Sequence, residues 1–223
     1  MTARENAKEE KRNNATELVF IIDRSGSMSG LESDTIGGFN SMIARQKDSE
    51  GECYVTTVLF NSSTERIHDR VSVTEISPMT AADYVPGGCT ALIDAIGETA
   101  DHIADVHRYI RPDDVPAKTL FVITTDGLEN ASHKYTADKV RKMIEDRKKK
   151  DGWEFLFIGA NIDSVQTAGR IGIAAECAVD YRADRKGTGV LYEALADTVC
   201  EMRSTGKVSK NWKRKIEKDA KSR

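Results

Sequence analysis

The sequence has 223 residues, of which 39% are hydrophobic and 31% are charged, so the chain has enough apolar material for the full core of one domain. Its net charge of −3 is unevenly distributed. Residues 203–223 contain nine lysines and arginines and two acids, giving +7, which leaves −10 for residues 1–202. The chain as a whole is therefore not a polyanion binder on charge alone, and the sequence predicts an acidic body with a basic tail.

Two further features exclude whole classes of protein. The apolar runs, such as residues 18–22, are far shorter than the roughly 20 residues of a membrane span, and the first 14 residues lack the apolar region of a secretory signal. The four cysteines are scattered without a CxxC pair, which argues against a structural zinc site and a disulfide scaffold. We therefore expect a cytoplasmic protein.

The predicted strands are short apolar runs separated by helical segments. Four of these runs are typical of strands buried on both faces, at residues 17–22, 53–60, 120–124 and 155–160. Residues 64–73 instead alternate polar and apolar after Asn61, which indicates an edge strand returning in a hairpin.

Apolar residues at spacings of three and four predict four amphipathic helices, around residues 36–43, 92–106, 140–144 and 191–202. Strands that alternate with helices imply a three-layer α/β fold, with a mostly parallel sheet, one antiparallel edge strand and helices on both faces. No linker divides the central part of the chain. We expect a polar extension at 1–14, one domain at 15–204 and a basic C-terminal tail at 205–223.

Polar side chains directly follow the predicted buried strands. Asp23, Ser25 and Ser27 come after the first strand, Asp126 follows the strand at 120–124, and Thr90 lies in a Gly-Gly-Cys-Thr loop that opens the second helix. Because ligands of open parallel sheets bind at the carboxyl ends of the strands, we expect these three loops to meet at one edge.

The oxygen atoms of these side chains suit a hard divalent cation. Two carboxylates and three hydroxyls favour Mg²⁺, and Mn²⁺ or Ca²⁺ would also fit, whereas Zn²⁺ and Cu²⁺ prefer histidine or cysteine ligands. Two carboxylates also cancel the charge of a dication, so such an ion keeps Lewis acidity and an open position for an outside oxygen.

The order of these motifs resembles the von Willebrand factor type A (VWA) domain and its metal-ion-dependent adhesion site (MIDAS). The resemblance covers residues from about 16 to 200, and rests on Asp23-x-Ser25-x-Ser27, the Gly87-Gly88-Cys89-Thr90 loop and Thr-Asp-Gly at 125–127. Among the members of that family, the chain is most similar to stand-alone bacterial cytoplasmic proteins.

The resemblance implies a Rossmann-like sheet and a non-catalytic function. Ser25, Ser27 and Thr90 are implied as hydroxyl ligands of a Mg²⁺ ion, and Asp23 and Asp126 as direct or water-mediated ligands. The open position of the ion would take a carboxylate, from Asp or Glu, of a partner protein. Arg24 stands inside the motif, and we expect its cation to point to solvent or to an incoming carboxylate.

Several neighbouring residues have simpler interpretations. We expect Ser29 and Asp163 to serve as a turn or helix cap, and Glu129 and Asn130 to lie in a solvated loop. Cys89 is expected to be a small buried residue, because no base or cluster of cations is evident near it.

Two alternatives to an interaction module remain. A Mg²⁺-dependent phosphatase or hydrolase would use Asp23 as its nucleophile, but the enzymes with such an aspartate carry a second acid two residues later, where this chain has Ser25. Alternatively, the tail binds nucleic acid, an anionic surface or an acidic partner.

The tail has an apolar face that allows two arrangements. Val208, Trp212 and Ile216 recur every four residues and so share one side of a helix, with lysines and arginines around it. The same pattern predicts either a helix packed on the body of the protein or a helix docked on a partner.

Overall fold

The computed structural model describes residues 14–222 of the chain. Nearly all of the predicted N-terminal extension at 1–14 lies outside them. Within this range six strands and six α-helices follow one another along the chain: β1 (Thr16–Asp23), α1 (Glu32–Lys47), β2 (Cys53–Phe60), β3 (Thr64–Ser72), α2 (Leu92–Tyr109), β4 (Lys118–Thr125), α3 (Ala137–Asp151), β5 (Glu154–Gly159), α4 (Ser164–Arg170), β6 (Ala178–Asp180), α5 (Arg185–Thr205) and α6 (Arg214–Lys221).

The strands form one sheet in the order β3-β2-β1-β4-β5-β6. All neighbouring pairs are parallel except β2 and β3, which pair antiparallel as a hairpin. The predicted fold class, the four buried strands and the antiparallel edge strand are therefore confirmed. Strand order reverses between β1 and β4, and in such sheets this reversal opens a crevice at the carboxyl ends of the two strands.

Side chains alternate across the sheet and build a separate core on each face. On one face Leu18, Phe20 and Ile22 of β1 pack with the helices α1, α5 and α6. On the other face Val19 and Ile21 pack with α2, α3 and α4. Burial on both faces explains why β1 is a continuous apolar run and confirms the three-layer arrangement.

The C-terminal segment is packed against the first of these cores. Trp212 and Ile216 are buried there, Val208 is partly buried, and the indole Nε1 of Trp212 donates to the carbonyl of Glu176 at 2.9 Å. Of the two arrangements that the sequence allows, the three apolar side chains of the tail thus adopt packing on the body. The predicted single helix through all three is wrong, because α6 begins only at Arg214 and leaves Val208 and Trp212 in the segment before it.

Arg203 fastens the end of α5 to the end of α1. Its guanidinium is buried and donates to the backbone carbonyls of Gln46, Ser49, Glu50 and Gly51 at 2.6 to 3.2 Å. These carbonyls lie in the last turn of α1 and in the loop after it, where helical partners are missing, so the cation satisfies them. No helix within residues 14–222 combines the length and the apolar character needed to cross a membrane.

Candidate metal site

The three predicted loops meet at the crevice between β1 and β4 and are hydrogen-bonded to one another. Gly26 N–H donates to the carbonyl of Gly88 at 3.1 Å, and Gly87 N–H donates to the carbonyl of Arg24 at 2.9 Å. On the other side, Asn130 N–H donates to the carbonyl of Thr90 at 3.1 Å. Backbone contacts of this kind hold the loops together before any ligand is bound.

Asp23 is fully buried at the end of β1, and both of its carboxylate oxygens accept hydrogen bonds. Oδ1 accepts from Ser25 N–H at 2.7 Å, and Oδ2 accepts from the Thr125 hydroxyl at 2.6 Å. Burial raises the pKa of Asp23 above its ordinary value, although these hydrogen bonds act in the opposite direction. The carboxylate is thus fixed in orientation and poorly solvated.

Asp126 ends a chain of three side-chain oxygens. Its Oδ1 accepts from the Ser27 hydroxyl at 2.5 Å, and Ser27 Oγ lies 3.1 Å from Ser25 Oγ. Burial raises the pKa of Asp126, the hydrogen bond from Ser27 lowers it, and the neighbouring charge of Asp23 raises it again. Two carboxylates that both resist ionisation form a site where a cation would be favourable.

Thr90 and Ser27 face a common point beside Gly127. A Cβ atom placed on Gly127 would lie 3.3 Å from Thr90 Oγ1 and 3.4 Å from Ser27 Oγ. Both hydroxyls are therefore directed at the same small space, next to the carboxylate of Asp126. The structure brings together all five residues that the sequence singles out.

The chemistry of this set fits a hard cation. No group of three or more His, Cys, Asp or Glu side chains in residues 14–222 is arranged to hold a metal ion, so an ion here would depend on hydroxyl ligands as well as the two carboxylates. Ser25, Ser27 and Thr90 provide those neutral oxygens, which match the preferences of Mg²⁺, Mn²⁺ and Ca²⁺.

Asp23 is held in place by two residues, Thr125 and Tyr84, that were not predicted from the sequence. Thr125 donates to its carboxylate and also accepts from Gly127 N–H at 3.3 Å. The buried phenol of Tyr84 donates to the backbone carbonyl of Asp23 at 2.5 Å. This bond ties the segment before Gly87 to the end of β1. A hydroxyl at 125 was visible beside Asp126, whereas the role of Tyr84, 61 residues away from Asp23, had no local signal.

Glu129 and Asn130 lie in a loop, as the sequence predicts, and Asn130 is exposed while Glu129 is half-buried. In addition, their side chains organise the third loop. Asn130 Oδ1 accepts from Thr90 N–H at 2.9 Å. The carboxylate of Glu129 accepts from Ile93 N–H in the first turn of α2, and from Ala131 and Ser132 in its own loop. These contacts fix Thr90 relative to Asp126, since they tie the second loop to the third.

The predictions for Cys89 and Arg24 are wrong, and that for Asp163 is confirmed. Gly88 has a φ of +77°, and the chain turns there so that Cys89 is exposed. The guanidinium of Arg24 is largely buried and contacts Glu65 at 2.7 Å and the carbonyl of Asp83 at 3.1 Å, because a buried cation needs acceptors. Asp163 caps α4 by accepting from Gln166 N–H at 2.8 Å.

Gly127→Ala is expected to weaken the binding of Mg²⁺ by about tenfold, because the added methyl group enters the space between Thr90 and Ser27 and overpacking costs about 1–3 kcal/mol. Isothermal titration with Mg²⁺ measures the effect. Gly87→Ala is the matched control, since its Cβ would meet no atom within 4 Å. Equal affinity of Gly127→Ala and wild type would contradict the position of the ion.

Comparison of folds finds similar solved structures at low sequence identity. A von Willebrand factor type A protein from Catenulispora acidiphila has a TM-score of 0.57 at 12% identity, over 83% of this chain and 42% of that chain. Proximal thread matrix protein 1 from the mussel byssus, with a zinc-occupied MIDAS motif, has a TM-score of 0.55 at 14% identity, over 83% of this chain and 46% of that chain. Manganese-loaded TRAP protein of Plasmodium vivax has a TM-score of 0.54 at 20% identity, over 80% of this chain and 72% of that chain.

The chain spans less than half the length of the first two of these proteins. No protein-family model and no curated protein sequence matches the chain. The likeness therefore concerns the fold, and two of the three related structures carry a divalent metal ion.

Proposed function

We propose that this chain, which has the von Willebrand factor type A fold, is an interaction module that binds a partner carboxylate through a divalent metal ion. The observation that carries this proposal is the meeting of two buried carboxylates and three hydroxyls at the point where strand order reverses. Asp23, Ser25, Ser27, Thr90 and Asp126 would hold the ion, which supplies an electrophilic position for the oxygen of the partner.

Mg²⁺ is the ion that we propose for this site. The ligand set contains only hard oxygens, and the charges of Asp23 and Asp126 balance one dication. The zinc and manganese in the related structures support a divalent ion of some kind rather than Mg²⁺ in particular. We further propose that the module is not an enzyme, because Ser25 stands where a hydrolase with an Asp23 nucleophile would need an acid.

The surroundings of the site favour a partner whose acidic residue has apolar neighbours. Leu128, two residues after Asp126, is 66% exposed, and Val85, two residues before Gly87, is 60% exposed. We propose that these two side chains contact apolar residues beside the acidic residue of the partner. We propose a protein partner in the cytoplasm, a compartment supported by four cysteines that are all free thiols.

Thermal unfolding with and without Mg²⁺ tests the site. An ion that binds only the folded state stabilises it by about 2.7 kcal/mol at 100 times its Kd, which is roughly 5–10 °C for a chain of this size. Asp23→Ala should abolish this increase in Tm. Asp163→Ala, which removes a carboxylate from a helix cap at the same sheet edge, should retain it.

Capture experiments test the interaction itself. Immobilised wild-type chain in Mg²⁺ should retain a partner that is released by EDTA and is not retained by Asp126→Ala. Capture that is equal in EDTA, or equal with Asp126→Ala, would refute binding through the metal ion.

A further inference from the structure

The C-terminal segment presents a set of exposed cations that form no ion pair within the described residues. We call this set the basic stripe, and its five side chains are all exposed: Lys207, Lys210, Arg214, Lys218 and Lys221. Exposed like charges at close spacing repel one another, so the stripe is a surface that an anion would stabilise.

Two other lysines of the same segment, Lys213 and Lys215, bind acceptors on the body of the protein. Lys213 Nζ donates to the carbonyls of Ala175 and Ala178 at 2.8 and 2.9 Å. Lys215 Nζ donates to Glu193 and Asp197 on α5 at 2.8 and 2.7 Å. The segment thus separates cations that fasten it to the body from cations that face outward.

The two acids of the segment each form an ion pair with a lysine outside the stripe. The carboxylate of Glu217 lies 3.7 Å from Lys213, and that of Asp219 lies 3.3 Å from Lys186 on α5. Both acids are therefore already paired with lysines that do not belong to the stripe.

Three of the five cations are aligned by helix geometry, whereas Lys207 and Lys210 precede α6. Arg214, Lys218 and Lys221 are separated by four and three residues and lie on one face of α6, opposite the buried Ile216. At a rise of about 1.5 Å per residue, successive cations on the helix are about 6 and 4.5 Å apart along its axis.

Lys148, in the last turn of α3, lies near one end of the stripe. Glu154 stands close to both Lys148 and Lys207: burial raises its pKa, and the two lysines oppose that effect. Its carboxylate also accepts from Val208 N–H at 3.3 Å, which fixes the start of the segment against β5.

The segment offers charge without an exposed apolar surface. Trp212 and Ile216 are buried, and the large hydrophobic side chains that are exposed in residues 14–222 (Val85, Tyr109, Leu128 and Val165) all lie outside the segment. An anionic bilayer would lack an apolar side chain to insert, a single-stranded nucleic acid would lack an aromatic ring to stack on, and a protein would lack an aromatic anchor. A row of point charges is sufficient for a phosphate backbone.

We propose that the basic stripe binds the phosphate backbone of double-stranded nucleic acid without sequence preference. Contacts to phosphates need no groove-reading side chain, and their affinity depends on salt through the release of counterions. This surface lies outside the metal site, so its binding is independent of the metal ion and of the function proposed above.

Fluorescence anisotropy with a labelled DNA duplex of about 20 base pairs and arbitrary sequence tests the proposal on the full chain in EDTA. With about five phosphate contacts, the slope of log K against log salt is expected to be about −4.5, a loss of roughly 500-fold between 50 and 200 mM salt. A triple variant should make this slope shallower by about 2 to 3; it combines Arg214→Gln, Lys218→Gln and Lys221→Gln.

A control triple variant removes the same charge elsewhere: Arg108→Gln, Arg111→Gln and Arg141→Gln replace exposed arginines that pair with nearby acids. It should bind the duplex like wild type, and circular dichroism checks that both triple variants fold. The proposal is overturned by absence of binding at 50 mM salt, or by equal losses in both variants. The proposal is also overturned if the chain binds single-stranded DNA, or phosphatidylcholine vesicles containing phosphatidylserine, more tightly than it binds the duplex.

Discussion

Asp126→Asn is expected to raise the Tm of the metal-free protein and, at the same time, to abolish its response to Mg²⁺. The native side chain is buried beside the carboxylate of Asp23, and its pKa is raised mainly by burial. A neutral amide removes the cost of the buried charge and keeps a carbonyl oxygen for the hydrogen bond from Ser27. The metal ion would lose one of its two charged ligands.

The stabilisation by asparagine should depend on pH. The folded state holds a proton on Asp126 more tightly than the unfolded chain does, because the pKa of this carboxyl group is raised on folding from its ordinary value of 3.8. The free energy of unfolding of the wild-type protein therefore falls as the pH rises from 3.8 through the pKa of the folded state. The advantage of Asp126→Asn is therefore largest at neutral pH and shrinks as the pH approaches 4.

Thermal unfolding of the two proteins across this pH range, in EDTA and in Mg²⁺, measures both effects. Asp163→Asn is the control, because it neutralises an exposed helix cap at the same sheet edge, where aspartate and asparagine are equally good. A Tm of Asp126→Asn below that of wild type in EDTA, or an intact response to Mg²⁺, would contradict the assigned site.

Trp212→Ala is expected to lower the free energy of unfolding by about 3–5 kcal/mol, or roughly 6–20 °C in Tm. The indole is 6% exposed, packs in the core formed with α1 and α5, and donates to the carbonyl of Glu176. The truncation leaves a cavity and removes this hydrogen bond, so a change far outside the metal site affects the stability of the whole domain.

Chemical denaturation at a fixed pH measures this loss. Trp212→Phe is the matched variant, because it keeps much of the packing, loses the donor to Glu176 and should cost clearly less. Lys210→Ala, in the same segment but exposed, should change stability by no more than about 0.5 kcal/mol. A Trp212→Ala protein as stable as wild type would mean that the segment does not contribute to the folded domain.

The sheet was predictable from the sequence because its central strands are buried on both faces. Such strands must be continuous apolar runs, and β1, β2, β4 and β5 all have this pattern. The short elements β6 and α4 were not predicted. They have three and seven residues, which is too few to show the periodicity of a strand or a helix.

The five side chains of the candidate site could be named from the sequence, whereas the contacts that position them could not. The bond from Asn130 to Thr90 joins residues 40 positions apart, and that from Tyr84 to Asp23 joins residues 61 apart. Contacts between loops follow from their closure in three dimensions, to which a single sequence gives no periodic signal. For the same reason, the apolar spacing of the tail could not distinguish packing on the body from docking on a partner.

The exposure of Cys89 makes the site accessible to selective chemical labelling. Cys53 is buried, with a pKa raised to about 12, burial also raises the pKa of Cys177, and the sulfur of Cys200 is partly covered by Gln46 and Ser49. A maleimide fluorophore would thus attach preferentially beside Thr90. Its emission would report ion loading and the arrival of a carboxylate ligand in a single cuvette, without any mutation of the protein.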